Sequence, residues 1–388
     1  MLGTRTDPGI TFLTGAPAGT MRIIQVNSHF HGGGVDTQTL ELCAGLIEQG
    51  HEVLLALNGD GRWVPRAQAV AGLRVEFIEG GKLGWGLRLR RLAEQFKAQV
   101  LHAHHGRDYW VAGVAGKLAA NRPRVVLTRH LMTHLSSTSA RYLLRLGHVT
   151  AVSQAVHDNL SHELSGDLRR LHLVYSGVDV SHFRPDAELR ARGRQAYGWD
   201  ESQLVFAVVG GAGLPDGKGQ REFVEAGARL IAERPEVRLM IVGEGGLIPL
   251  LEQRIAELGL QSSILCVGFT EDVERIAAMI DVLVHPAVGT EALGLVIWEA
   301  MAAAKPVIAS RLGGIPETFI DPDHGRLVQP RSVDELYAAM QLFAADRSLR
   351  ERCGTAAREY LIAKDFTRAG QARRFSALYQ AIQAPDHD

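Results

Sequence analysis

No apolar run in this 388-residue chain reaches the roughly 18 residues that a membrane-spanning helix needs, so no span is expected. Cysteine is scarce. Cys43, Cys266 and Cys353 are odd in number, scattered and without metal-ligand spacing, and the simplest expectation is a reducing compartment, hence a cytoplasmic location. Low-complexity segments and internal repeats are missing. So is an overall charge excess: the net charge is −1, which removes the strongly basic signature of a nucleic-acid binder. The charge is unevenly spread, however. Residues 1–180 carry 19 Lys+Arg against 14 Asp+Glu and hold 12 of the 16 histidines. A basic first half suits an anionic partner, either a phosphorylated acceptor or an acidic lipid surface, and a solvated face would look the same.

What is present is ordinary globular composition, 46% hydrophobic and 22% charged, on a chain too long for one core. Residues 1–20 differ from the rest. Ile10-Thr-Phe-Leu is too short for a signal h-region, and a flexible N-terminal extension is expected there. From Met21 short apolar runs alternate with amphipathic stretches. Strand-like runs fall at 23–26, 53–56, 74–77, 100–103, 125–128 and 148–152, with helical stretches at 37–49, 87–98 and 107–120. After Phe183-Arg-Pro185 a second set begins, at 204–209, 237–242, 264–267, 282–285, 307–309 and 325–328. The rhythm predicts an α/β protein of two doubly wound parallel sheets joined near residues 180–200. Residues 366–382 read as an amphipathic helix with Phe375, Leu378, Tyr379 and Ile382 on one side.

The chemistry-bearing residues lie at the C-terminal ends of these strands, where ligands bind in parallel sheets. After the first strand, Asn27-Ser-His29-Phe-His31 leads into Gly32, Gly33 and Gly34, a turn whose backbone N–H groups can approach a phosphate. It is not G-x-G-x-x-G, and residues 57–59 supply no acidic group after the second strand, so hydride transfer recedes. His102, His104 and His105 end one strand and His130 the next. No third ligand follows at recognisable spacing, and no metal is expected. In the second half, Gly210, Gly211 and Gly213 lead to Lys218, which can neutralise a diphosphate but lacks the Ser or Thr of a P-loop. Glu291 and Glu299 are eight residues apart with Gly294 between them. The spacing predicts a loop that becomes a helix at about Gly294-Leu295, leaving Glu291 in the loop and Glu299 about one turn inside. Two carboxylates flanking a helix N-terminus suit a molecule with a central diphosphate and a polyol at each end, a nucleotide-sugar.

These residues resemble the retaining GT-B glycosyltransferases that carry E-x7-E, the glycosyl transferases group 1 and family 4. The likeness extends from Met21 through Ser153, Gly177-Val-Asp179, Ile241-Val-Gly-Glu-Gly245, Val267-Gly-Phe-Thr270, the glutamate pair, and Lys305-Pro-Val-Ile-Ala-Ser310 to Pro316-Glu317. The resemblance implies two Rossmann-like domains facing across a cleft, with the last helix crossing back to the first. The expected division is an acceptor domain at 21–184 plus 367–388 and a nucleotide-sugar domain at 185–366. By the same resemblance Glu299 binds ribose hydroxyls and Glu291 the donor sugar. Gly294, Leu295 and Val296 meet the diphosphate or sugar, Lys218 the diphosphate, His130 the sugar, and Phe269 and Thr270 the base. Gly32, Gly33 and Gly34 close over the diphosphate, and His29, His104 and His105 are acceptor-side candidates.

The chain departs from the pattern at Gly211, where an arginine usually helps hold the diphosphate and Arg221 is a possible substitute. Ser176 replaces an asparagine, Ala287 a serine, and Ala304 a glycine. The implied activity is metal-independent, retaining transfer from a UDP- or GDP-sugar to a glycan, glycolipid or lipid-linked acceptor, for example in lipopolysaccharide biosynthesis. A nucleotide-sugar epimerase or hydrolase, a silent nucleotide-sugar-binding protein and a dehydrogenase remain open on the residues alone. The basic stretch from Trp85 to Leu92 could rest on an anionic membrane or be an ordinary surface helix.

Overall fold

The computed structural model describes residues 19–58, 61–78 and 81–383, so the expected N-terminal extension lies almost wholly outside the described residues. The first run of elements is β1 (Arg22–Asn27), α1 (Gly34–Glu48), β2 (Glu52–Leu57), α2 (Val64–Ala69), β3 (Arg74–Phe77), α3 (Lys82–Gln95), β4 (Val100–Ala103), α4 (Tyr109–Leu118), β5 (Arg124–Arg129), α5 (Ser137–Leu146), β6 (His148–Ala151), α6 (Gln154–Glu163) and β7 (Leu171–Leu173). The second is α7 (Ala187–Gln195), β8 (Leu204–Val209), α8 (Gln220–Glu233), β9 (Val237–Val242), α9 (Ile248–Glu257), β10 (Ile264–Gly268), α10 (Val273–Met279), β11 (Val282–His285), α11 (Leu295–Ala302), β12 (Val307–Ser310), β13 (Gly325–Val328), α12 (Val333–Ala345), α13 (Arg347–Ala363) and α14 (Arg368–Gln383).

Two sheets result, ordered β3-β2-β1-β4-β5-β6-β7 and β10-β9-β8-β11-β12-β13. Both are doubly wound, and in each the winding direction reverses beside the first strand: between β1 and β4, and between β8 and β11. Parallel strands covered on both faces need near-continuous apolar runs. Leu204-Val-Phe-Ala-Val208 and Leu239-Met-Ile-Val242 are such runs, buried throughout. The short β7, which the sequence pattern does not reveal, has only three residues and carries His172 in its middle.

By packing, the chain forms two compact units, residues 1–127 with 369–388 and residues 128–368. The last helix therefore belongs to the first unit. Phe375, Leu378, Tyr379 and Ile382 are buried there, as the amphipathic pattern predicts. The Tyr379 hydroxyl lies 2.6 Å from His102 Nδ1 and 3.4 Å from Gln25 Nε2, a polar anchor inside an apolar contact. Phe366, expected to open this helix, instead stacks on Trp298 at 4.5 Å and 16° in the second unit, and Thr367 bridges Val178. The basic stretch from Trp85 to Leu92 lies in α3. Trp85 and Leu89 are buried, while Leu87, Arg88 and Arg91 are exposed. Among the described residues no helix is long and apolar enough to cross a membrane.

Helix α11 ends in a Schellman turn: the Lys305 N–H donates to Ala300 O and the Ala304 N–H to Met301 O, each at 2.9 Å. The residue after the cap, Ala304, is left-handed at φ 56°, a conformation in which a Cβ is strained. This accounts for the glycine usual at that position in chains of this pattern. Ala304→Gly should stabilise the protein by about 1 kcal/mol, since relief of the left-handed strain outweighs the added unfolded-state freedom. Urea denaturation of the two proteins measures it, and a lower midpoint for the glycine variant would contradict the reading.

Candidate functional site

In the second unit, β8 and β11 flank the point where the winding reverses, and the loops that follow them carry Lys218 and Glu291. The two loops are pressed together. Gly219 has φ 81°, and a Cβ there would meet the Pro286 carbonyl oxygen at 1.9 Å, so only glycine permits the approach. The Lys218 N–H donates to Gln220 Oε1 at 2.6 Å, which fixes the backbone behind the side chain. Lys218 Nζ then lies 2.7 Å from Glu291 Oε2. His285, the last residue of β11, brings Nε2 to 3.2 Å from the same oxygen, while its Nδ1 is buried without a hydrogen-bond partner.

The backbone at Glu291 is fixed as firmly as the side chain. Gly314 N–H donates to the Glu291 carbonyl at 3.1 Å, and the Ser153 hydroxyl donates to the Ala292 carbonyl at 2.6 Å. Ser153 also caps α6, accepting from the Val156 N–H. The Glu317 carboxylate completes that helix start, accepting the N–H groups of Gln154 and Ala155 at 2.7 and 2.8 Å and the Tyr175 hydroxyl at 2.8 Å. His130 follows β5 and is half-buried. Two residues on, Met132 Sδ reaches the face of Gly313, where a Cβ would also meet the Glu291 carbonyl.

Helix α11 begins at Leu295 after a left-handed Gly294 at φ 84°, with no side-chain cap, which is where the glutamate spacing places its start. Its first N–H groups, from Leu295 and Val296, face outward from the helix N-terminus beside the Glu291 loop. Glu299 is half-buried just over one turn inside. Gly211 is exposed and a Cβ there would meet nothing within 4 Å, so the position has room for the side chain it lacks. Arg221 does not fill that gap; it lines a groove of about 330 Å³ between α8 and α9 with Glu225 and Arg254. Phe269 is 38% exposed at the end of edge strand β10, and the Thr270 hydroxyl accepts from the Asp272 N–H.

In the first unit, His29, Gly33 and Gly34 are exposed after β1, Gly32 is half-buried against Trp63, and His105 follows β4. His104, an acceptor-side candidate from sequence, is buried at 3% exposure with Nε2 2.7 Å from Gln25 Oε1. Alternation along the strand puts it on the same face as His102, with ring centroids 4.3 Å apart, and its burial leaves it no open face toward a ligand. Among the described residues no group of three or more His, Cys, Asp or Glu is placed to hold a metal ion.

Two family models cover most of the chain: glycosyltransferase family 4 over residues 32–182 and glycosyl transferases group 1 over residues 190–360. A D-inositol 3-phosphate glycosyltransferase of Kribbella flavida is 30% identical over 71% of this chain and 69% of that protein. The chain belongs to the group 1 glycosyltransferases. A GDP-mannose-dependent phosphatidylinositol monomannoside mannosyltransferase of Mycolicibacterium smegmatis is 32% identical over 48% of this chain, a stretch that spans 50% of that protein's length. The crystal structure of Anabaena HepE with UDP and glucose superposes with a TM-score of 0.81 at 22% identity, covering 93% of this chain and all of that one. The fold of this group 1 glycosyltransferase is therefore GT-B.

The resemblance implies separate partners for Lys218 and Glu291, and the structure pairs them with each other. His285 ends a predicted strand and Ser153 and Glu317 lie within the resemblance, none with an expected role. Their roles depend on contacts 6, 139 and 163 residues away along the chain. Burial alone would push the Glu291 carboxyl up; His285, by hydrogen bond and charge, and then Lys218 outweigh it and hold it at about 2. A depressed carboxyl stabilises the fold above its unfolded pKa near 4.5, and that stability is lost as pH falls toward about 2. The stability difference between the wild type and Glu291→Gln, read by chemical denaturation, should therefore be largest near pH 6 and shrink as pH drops through 4. A difference constant over that range would contradict the assigned pairing.

Proposed function

We propose that this group 1 glycosyltransferase moves a hexose from a UDP- or GDP-sugar to an acceptor hydroxyl with retention of configuration and without a metal ion. The observation that carries the reading is the 2.7 Å contact of Lys218 with Glu291 where the winding of the second sheet reverses, beside the uncapped start of α11. Cleavage of the anomeric bond leaves negative charge on the departing diphosphate. Lys218 and the N–H groups of Leu295 and Val296 are the groups to receive it. As the phosphate draws Lys218 away, Glu291 becomes free to bind hydroxyls of the sugar, with His285 holding one of its oxygens in place. Glu299 takes the ribose, Phe269 and Thr270 the base, and His130 the sugar. In retention the leaving phosphate accepts the acceptor proton, so no further carboxylate is required.

Residues 185–366 would form the donor module, and residues 21–184 with 367–388 the acceptor module. HepE was crystallised with UDP and glucose, and the two relatives are named for a GDP-mannose donor and for acceptors containing inositol phosphate or phosphatidylinositol. These names favour a phosphate-bearing glycolipid or small polyol acceptor, in cell-surface glycan synthesis, with peripheral membrane contact through α3 as one way to reach it. Gly211 favours a second reading, a nucleotide-sugar-binding protein that does not transfer, because the diphosphate has one cation fewer.

A thermal-shift series with UDP, GDP, UDP-glucose and GDP-mannose tests the donor site. One base should raise the melting temperature, and Lys218→Ala and Glu299→Ala should each weaken that nucleotide about tenfold or more. Glu291→Ala should lower transfer at least about a hundredfold. Wild-type affinity in both binding variants would reject the site. Binding with no release of free nucleoside diphosphate across a panel of acceptors would select the second reading.

A further inference from the structure

The winding of the first sheet also reverses, between β1 and β4, and the loops after those strands gather a cluster of a different chemistry. His29 and His31 come from the β1 loop, with ring centroids 4.4 Å apart. His105 comes from the β4 loop, 5.8 Å from His29. Arg107 follows it, is exposed, and forms no hydrogen bond or ion pair among the described residues.

The nearby carboxylates are already engaged by other donors. Asp36, in the first turn of α1, is buried and already accepts from Asn27 Nδ2 and from the N–H groups of His31 and Gly32 at 2.8 to 3.0 Å. It stays 3.7 Å from His105 Nε2, which is buried without a hydrogen-bond partner. Asp108 accepts the Ser28 N–H at 2.9 Å, and burial pushes its carboxyl up, which disfavours its charge. From α2 the nearest cation is Arg66, 4.7 Å over the ring of Trp63, which backs Gly32. Partial burial and then the like charges of His31, Arg107 and His105 hold the His29 imidazolium below its usual range, as expected where positive potential accumulates.

We propose that His29, His31, His105 and Arg107 form a binding subsite for an anionic group, a phosphate or carboxylate, carried by the acceptor. The proposal rests on the transferase reading and supplies its acceptor class. Arg107 provides the planar fork that grips such an oxyanion, and the imidazoles supply shorter-range N–H donors. Three of the four are not needed to hold the fold: the side chains of His29, His31 and Arg107 are exposed, and the backbone of the β1 loop is fixed by Asp36.

The test follows the imidazole resonances of 15N-labelled protein while inorganic phosphate is added at constant ionic strength, with sodium chloride and glycerol as controls. Phosphate should shift the rings of His29, His31 and His105 saturably and leave His172 and His324 unmoved. Glycerol 3-phosphate should act alike and glycerol should not. Arg107→Ala and His31→Ala should each weaken phosphate about tenfold, and the response should persist when UDP or GDP is bound. No saturable shift at tens of millimolar phosphate, or an equal shift with chloride, would overturn the proposal. Displacement of phosphate by the nucleotide would also overturn it, because the anion would then be the donor's own diphosphate. Phosphate binding needs no transfer, so failure of the donor assay and failure here are separate results.

Discussion

A single carboxylate organises the second unit's site. Glu291 is 13% exposed, and a buried charge survives only with partners. Lys218, from the loop after β8, and His285, at the end of β11, provide them from either side of the winding reversal, so the pair cannot form unless β8 and β11 are correctly registered. The same pairing keeps a lysine and a carboxylate poised where a diphosphate and a sugar can divide them. Removing one partner alone leaves an uncompensated charge, which is costly, whereas on the proposed function an incoming phosphate would replace the carboxylate as the partner of Lys218. On that proposal the ion pair is the resting state of the binding site rather than a brace.

Everything around the pair restrains it. Gly219 allows the lysine loop to touch Pro286, and the Gly313-Gly314 segment holds the Glu291 carbonyl. Ser153 and Glu317 then tie that segment to the start of α6. Such restraint is what electrostatic catalysis requires, since groups already oriented lose little on binding the transition state. In the first unit the corresponding position is built from three imidazoles and an arginine, in keeping with the basic first half of the sequence.

The alternation of apolar runs and amphipathic stretches made both sheets legible, because buried parallel strands must be apolar throughout. The start of α11 was equally legible, since Gly294 between two glutamates marks a break. The contact between Lys218 and Glu291 was not: it joins residues 73 apart, and only the strand order brings them together. The burial of His104 was not legible either, because sequence shows its position at a strand end but not Gln25 of β1, which it meets at 2.7 Å, or the ring of His102 beside it. Ala304 shows another case: its departure from the family's glycine is visible in the sequence, but only the structure shows the left-handed backbone that it occupies. Phe366 failed as a helix residue because its aromatic ring finds Trp298, a partner that periodicity does not show.

The most direct test of the poised ion pair is a double-mutant cycle on folding stability with Lys218→Met and Glu291→Gln, without and with the nucleoside diphosphate that the protein binds. In the free protein the two side chains should couple by about 1 to 3 kcal/mol, and saturating nucleotide should abolish most of that coupling as Lys218 transfers to phosphate. A coupling energy unchanged by nucleotide would contradict the account, for it would make the pair a structural brace with no part in holding the donor.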